Sequence, residues 1–198
     1  MDLNQFFVVG LGASAGGHQS LKDFFQHLPE HPGAAFVVVT HLLRSHYSVL
    51  DRIISKYTRM TVIRMSGIDT IRPNHVYVMP ENVKVQVQKG KLVLQPRPPD
   101  EVLNKTIDFF FESLGNDLQN RAVAIVFSGM GSDGFEGIQT IHKHGGLVLV
   151  QDPRSTNFKG MPETVINGNS PDVVLPPSEL ASSLMSVISE KKQSATRR

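Results

Sequence analysis

The stretch Phe6-Phe7-Val8-Val9-Gly10-Leu11-Gly12-Ala13-Ser14-Ala15-Gly16-Gly17 carries an apolar run straight into a glycine-rich loop. A short apolar run that ends at glycine predicts a buried strand. Beyond the loop, Leu21, Phe24, Phe25 and Leu28 recur at three- and four-residue spacings, which predicts a helix over Gln19 to Leu28. Pro29 and Pro32 end it. The same unit then recurs. Ala35-Phe36-Val37-Val38-Val39 predicts a second buried strand, ending at Thr40-His41. Ala122 to Phe127 predicts another, followed by Ser128-Gly129-Met130-Gly131-Ser132-Asp133-Gly134. Leu147 to Gln151 and Val173 to Leu175 complete the series, and Thr61 to Met65 and His75 to Met79 supply two more strands.

Helices are expected over Ser48 to Tyr57, over Ile107 to Leu118, and up to His144, where Gly145-Gly146 can cap. Pro162 to Ile166 and Ser178 open two further helices. Val83, Val85 and Val87 alternate with polar residues, as do Leu92 and Leu94 after Gln88-Lys89-Gly90. That pattern predicts an antiparallel hairpin with one solvated face. Apolar strands alternating with amphipathic helices predict an α/β fold. Its form is three-layer α/β/α, doubly wound, with a mostly parallel sheet and this hairpin attached. The expected organisation is one domain over residues 1–188 and a polar, basic tail or linker over 189–198.

Composition narrows the function. The 198 residues suit one domain with a substantial core. No apolar run approaches the roughly 20 residues of a membrane span, so no membrane insertion is expected. The first residues lack the basic region of a secretory signal. There is no cysteine, which excludes disulfides and a thiol nucleophile and is compatible with a cytoplasmic setting. A formal net charge of +2 with no basic stripe gives nucleic acid little to bind.

In a doubly wound sheet, ligands sit beyond the carboxyl ends of the strands, and three such ends carry reactive side chains. Gly12-x-Ser14-x-Gly16 has the spacing of a nucleophile elbow, in which glycines let the backbone turn sharply and expose the serine. The helix after it would offer free N–H groups to an oxyanion. The same residues read as Gly10-x-Gly12-x-x-Ala15, a loose dinucleotide fingerprint. That reading expects an acid at the end of the second strand, where this chain has Thr40-His41. A plain turn with Ser14 capping the helix is a third reading. His41 is placed as a general base, with His46 as the alternative. Asp133 alone reads as a turn or cap residue. Together Ser14, His41 and Asp133 make a set for Ser-His-Asp chemistry, in a chain order unlike that of the α/β-hydrolases.

These loops, with Gln151-Asp152-Pro153, Gly160-Met161-Pro162 and Asn74-His75-Val76-Tyr77-Val78-Met79-Pro80, resemble the catalytic domain of protein-glutamate methylesterases, the CheB family. The resemblance covers roughly residues 5 to 180. It implies hydrolysis of glutamate γ-methyl esters on chemoreceptors, with glutamine deamidation as a second activity of many members. By match to the motifs it implies Ser14 as nucleophile, His41 as base and Asp133 as its orienter. It also implies an oxyanion hole from the backbone N–H of Met130 and an amide beside Ser14, at Ala15. No metal or organic cofactor is implied. Members often have threonine where this chain has Ala15, and Met-Pro where it has Leu42-Leu43. The partner implied is a methylated chemoreceptor or receptor-like protein. Few residues precede the first strand, so the pattern is similar to the module that begins hybrids fused to a receptor methyltransferase (CheB–CheR hybrids). No receiver domain and no control by the chain's own phosphorylation are then expected. A non-catalytic interaction module of the same fold is the competing reading.

Overall fold

β1 (Phe7–Ala13) is buried along its whole length, inside a seven-stranded sheet. The computed structural model describes residues 6–42, 47–101, 103–169 and 171–196, with the backbone alone for 169 and 191–196. In chain order the elements are β1, α1 (Gly17–Gln26), β2 (Ala34–Thr40), α2 (Leu50–Ile54), β3 (Thr61–Arg64), β4 (Ile68–Thr70), β5 (His75–Val78), β6 (Val83–Gln88) and β7 (Lys91–Pro96). Then follow α3 (Thr106–Leu118), β8 (Ala122–Val126), α4 (Phe135–Lys143), β9 (Leu147–Gln151), α5 (Gly160–Asn169), β10 (Val173–Leu175) and α6 (Pro177–Thr196).

The large sheet has the order β10-β9-β8-β1-β2-β5-β3, and every neighbouring pair is parallel. The antiparallel strands form their own sheet, β4-β7-β6. The expected hairpin is therefore two strands of three. Its turn, Lys89-Gly90, has positive φ at both residues (49° and 70°), the geometry that matches strand twist in a two-residue hairpin. α2 is shorter than the periodicity predicts at both ends: the Ser48 side chain accepts the Leu50 N–H at 3.3 Å ahead of it, and beyond Ile54 the N–H groups of Lys56 and Tyr57 turn back to Ile53 O and Ile54 O, three residues behind. α6 runs to Thr196, and among its described side chains Ile188 is the last buried apolar one. Among the described residues no helix is long and apolar enough to cross a membrane.

Alternation along the strands feeds two separate cores. Val8, Val37 and Val39 face α3, α4, α5 and the small sheet. Val9, Leu11, Phe36 and Val38 face α1, α2 and α6. On that second face Phe24 packs edge-on against Phe25, Phe36 and Phe127, with centroids 5.4 to 6.2 Å apart. Such pairs add about 0.5–1.5 kcal/mol each beyond their burial.

Gly10 and Gly12 are in β1 itself, on the face that meets α3. A Cβ on Gly10 would stand 2.7 Å from Phe110 Cε1, and one on Gly12 would stand 2.6 Å from Ile107 Cγ2. The missing side chains let the first turns of α3 lie directly on β1. The Gly-x-Gly pattern thus serves helix–sheet packing. A dinucleotide site needs such glycines open to a pyrophosphate, so that reading does not fit. The strand order reverses between β1 and β8, and the start of α3 is pressed against that switch point.

Candidate active site

Three strand ends meet at the switch point. Ser14 directly follows β1, and its N–H donates to the Ser128 carbonyl after β8 at 2.9 Å. The chain then turns through Gly16, which caps α1 in the left-handed region at φ 75°. A side chain there would also strike Phe158 Cδ2 at 2.7 Å and Ser128 Oγ at 2.8 Å. Glycine is needed at this point for both reasons. Gly129 is held by its neighbours: its N–H donates to Phe158 O and its carbonyl accepts from Met161 N, both at 3.0 Å. A Cβ on Gly129 would lie 2.9 Å from Ser14 Cβ, so the two loops touch.

His41 is the first residue past β2, and its N–H donates to Ala13 O at 3.4 Å. Its Nε2 bonds Asp133 Oδ2 at 2.6 Å. The imidazole is 21% exposed and the carboxylate 5%. With Nε2 committed to the acid, Nδ1 is the nitrogen left for the serine side. No hydrogen bond joins the Ser14 hydroxyl to the imidazole among the described residues. Both residues line one open depression with Ala15, Leu42, Tyr47 and Val49. His46, the alternative base, lies outside the described residues. His18 lines the same depression from α1, while His27 is tied to Asp23 O at 2.7 Å.

Asp133 is saturated. Besides His41, its Oδ2 accepts the Ile107 N–H at 2.9 Å, and its Oδ1 accepts those of Asp108 and Gly134 at 2.9 and 3.0 Å. Burial alone would raise this carboxyl. The hydrogen bonds from His41 and from the Asp108 and Ile107 N–H groups outweigh it and hold the pKa below the ordinary carboxylate value.

The Met130 side chain is exposed. Among the described residues neither its N–H nor that of Ala15 donates to a protein acceptor, whereas the N–H groups of Ser14 and Gly129 both do. The N–H groups of Ala15, next to Ser14, and of Met130, next to Gly129, are thus uncommitted among the described residues. No group of three or more His, Asp or Glu side chains among the described residues is arranged to hold a metal.

Two contributors were given no site role in the sequence: Gln151, quoted there only for the family resemblance, and Asp108, not singled out at all. Gln151 is buried, and its Oε1 accepts the Ser128 N–H at 2.9 Å while its Nε2 donates to Ser155 Oγ at 3.0 Å. Asp108 is buried against Asp133. Burial pushes its carboxyl up to about 6; the Gly137 N–H opposes that rise and the Asp133 charge adds to it. An acid in the first turn of a helix is the available sequence signal, but it ordinarily reads as a dipole partner.

A wholly parallel doubly wound sheet, with a serine and an imidazole bonded to a buried carboxylate on its carboxyl rim, defines a doubly wound α/β domain with its candidate site at the switch point. The chain belongs to the CheB methylesterase family, whose model matches residues 9–184. The protein-glutamate methylesterase/protein-glutamine glutaminase of Bacillus licheniformis is 27% identical over 190 residues, which is 93% of this chain and 53% of that protein. Its namesake from Trichodesmium erythraeum is 30% identical over 182 residues, 90% of this chain and 52% of that one. The chain thus spans about half the length of these two relatives. The crystal structure of the Thermotoga maritima CheB methylesterase catalytic domain matches with a TM-score of 0.84 at 26% identity, covering 92% of this chain and 99% of that one.

Proposed function

We propose that this domain hydrolyses glutamate γ-methyl esters on chemoreceptor-like proteins through Ser14, His41 and Asp133. The observation that carries the reading is the 2.6 Å bond from His41 Nε2 to the buried Asp133 carboxylate, on the rim where Ser14 ends the neighbouring strand. The Ser14 hydroxyl attacks the ester carbonyl, and His41 Nδ1 takes its proton. Asp133 fixes the imidazole's tautomer and balances the charge it gains. The oxyanion is received by the N–H groups of Ala15 and Met130. On collapse the imidazolium returns the proton to the departing methoxide, and methanol leaves. Water, deprotonated by His41, then attacks the acyl-enzyme and frees the glutamate. An amide enters the same route with ammonia as the leaving group, which the double names of the relatives support.

The ester must be supplied by a receptor methyltransferase, fused or separate, and the reading sets both activities in the cytoplasm. The missing Ser14–His41 hydrogen bond is what a scaffold reading would stress, but such bonds are often loose before substrate binds. Methanol release from a methylated receptor fragment tests the proposal. Parent activity that disappears in Ser14→Ala supports it; equal rates with and without the hydroxyl overturn it.

A further inference from the structure

We propose that Asp108 is a positioning residue for the His41–Asp133 pair. This rests on the Ser-His-Asp reading above and adds a member that does not touch substrate. Neither α3 nor α4 caps its own start with a side chain: Lys105 and Gly134 stand at the two N-caps without a side-chain cap bond. Each helix is capped instead by an acid from the other's neighbourhood. Asp133, just before α4, accepts the N–H groups of Ile107 and Asp108 at the start of α3. Asp108, inside α3, accepts the N–H groups of Gly134 and Gly137 at the start of α4, both at 2.9 Å.

The Gly134 N–H sits between the two carboxyls, 2.9 Å from Asp108 Oδ1 and 3.0 Å from Asp133 Oδ1. One donor is shared by two buried acids. The loop that carries Asp133 is therefore tied to α3 in both directions. Asp133 Oδ2 is held where it meets His41 because Gly134, the next residue, is held by Asp108. Gly134 turns the loop in the left-handed region at φ 98°, and at Gly137, where a Cβ would stand 2.6 Å from Asp108 O, α4 lies directly on the backbone of α3.

Charge sets a second role. The titratable groups around Asp108 are Asp133 from the loop, Glu136 from α4, Lys105 ahead of α3 and, through Asp133, His41. Lys105 is paired with Glu136 at 2.6 Å, which leaves Asp108 and Asp133 to repel one another directly. A proton on Asp108 relieves that repulsion. The proton that burial favours on Asp108 thus lets the two carboxyls share the Gly134 N–H without facing each other as two charges.

The test uses the full chain, p-nitrophenyl acetate and a methylated receptor fragment, with kcat and KM followed across pH and folding checked by circular dichroism. Asp108→Ala is expected to lower kcat at least about tenfold with KM within about twofold, because the loop loses its anchor. Asp108→Asn keeps an oxygen for Gly134 and Gly137 and is expected to recover most of that loss. A folded Asp108→Ala with kcat within about threefold of the parent overturns the positioning role. So does a folded Asp108→Asn whose kcat falls at least about tenfold although its amide oxygen can still meet Gly134 and Gly137, and that arm decides if Asp108→Ala does not fold. Asp133→Asn serves as the reference. If it stays active, the Ser-His-Asp reading itself falls; if it is inactive while both Asp108 variants match the parent, only this inference falls.

Discussion

The acid end of the site and the serine end are built on opposite plans. At the acid end, Asp133 accepts hydrogen bonds from His41, Ile107, Asp108 and Gly134 while almost fully buried. At the serine end, the Ser14 hydroxyl has no hydrogen-bond partner among the described residues, and the N–H groups of Ala15 and Met130 donate to no protein acceptor there. The contrast teaches where order is needed before substrate arrives. An orienting charge works best fixed in a dry setting, where no solvent must reorganise during reaction. The groups that meet substrate must keep their valences free until it binds.

The contrast breaks most sharply if the two ends are mutated separately. Ser14→Ala is expected to lower turnover by about 10⁴–10⁶ and to leave the melting temperature within experimental error, because the lost hydroxyl holds nothing in the fold. Paired activity and thermal melts check it; a large drop in melting temperature would show that the serine end is structural after all. Asp133→Asn is expected to lose about 10⁴ in turnover and, unlike Ser14→Ala, also stability. One amide oxygen cannot serve four donors, and each buried donor left unpaired costs about 1–3 kcal/mol. Denaturant melts of the two variants side by side give the comparison directly.

Gly12→Ala sharpens the same contrast from beneath the site. Its Cβ would press on Ile107 Cγ2 at 2.6 Å, on the residue whose N–H reaches Asp133. Overpacking of this kind costs about 1–3 kcal/mol. Turnover should fall through kcat rather than KM, since the acid end moves and the open depression does not. Kinetics with p-nitrophenyl acetate separate the two parameters.

The smallest expected effect is in the pH dependence of stability. Asp133, held below its ordinary value, contributes stability that is present at neutral pH and lost as pH falls through its folded-state pKa, below about 4. Asp108 has the opposite sign. Its folded-state value is about 6, so the native state holds a proton that the unfolded chain has released. Stability from this group is full below about 4, declines by roughly 1–3 kcal/mol between there and 6, and is flat above. Melting temperatures across that window should show the decline in the parent and lack it in Asp108→Asn. A parent curve that rises through the window contradicts the assignment.

How much of this was legible depended on how local each signal is. The buried strands were, since runs such as Val37-Val38-Val39 and Ala122 to Phe127 announce themselves in a few residues. Ser14, His41 and Asp133 were picked out because each follows such a run. β4 was not visible: it is three residues long and its Ile68 is 70% exposed, so no alternation marks it. The purpose of Gly10 and Gly12 could not be read either. The residues that fill their space, Ile107, Phe110 and Phe111, come about a hundred positions later. Asp108 was hidden for the same reason, because its meaning lies in Gly134 and Gly137 on another element. The choice of Nε2 for the acid is a matter of ring orientation, which no spacing encodes.

The exchange of caps between α3 and α4 also bears on the order in which the molecule becomes active. The amides of Ile107, Asp108, Gly134 and Gly137 are each held by a carboxylate from across the helix pair. Neither helix start can fray alone without releasing the other, so these four amides belong to one opening unit in native-state hydrogen exchange. A chain still folding, with α4 undocked, has no oriented His41. On the proposed mechanism, turnover then waits until that unit has closed.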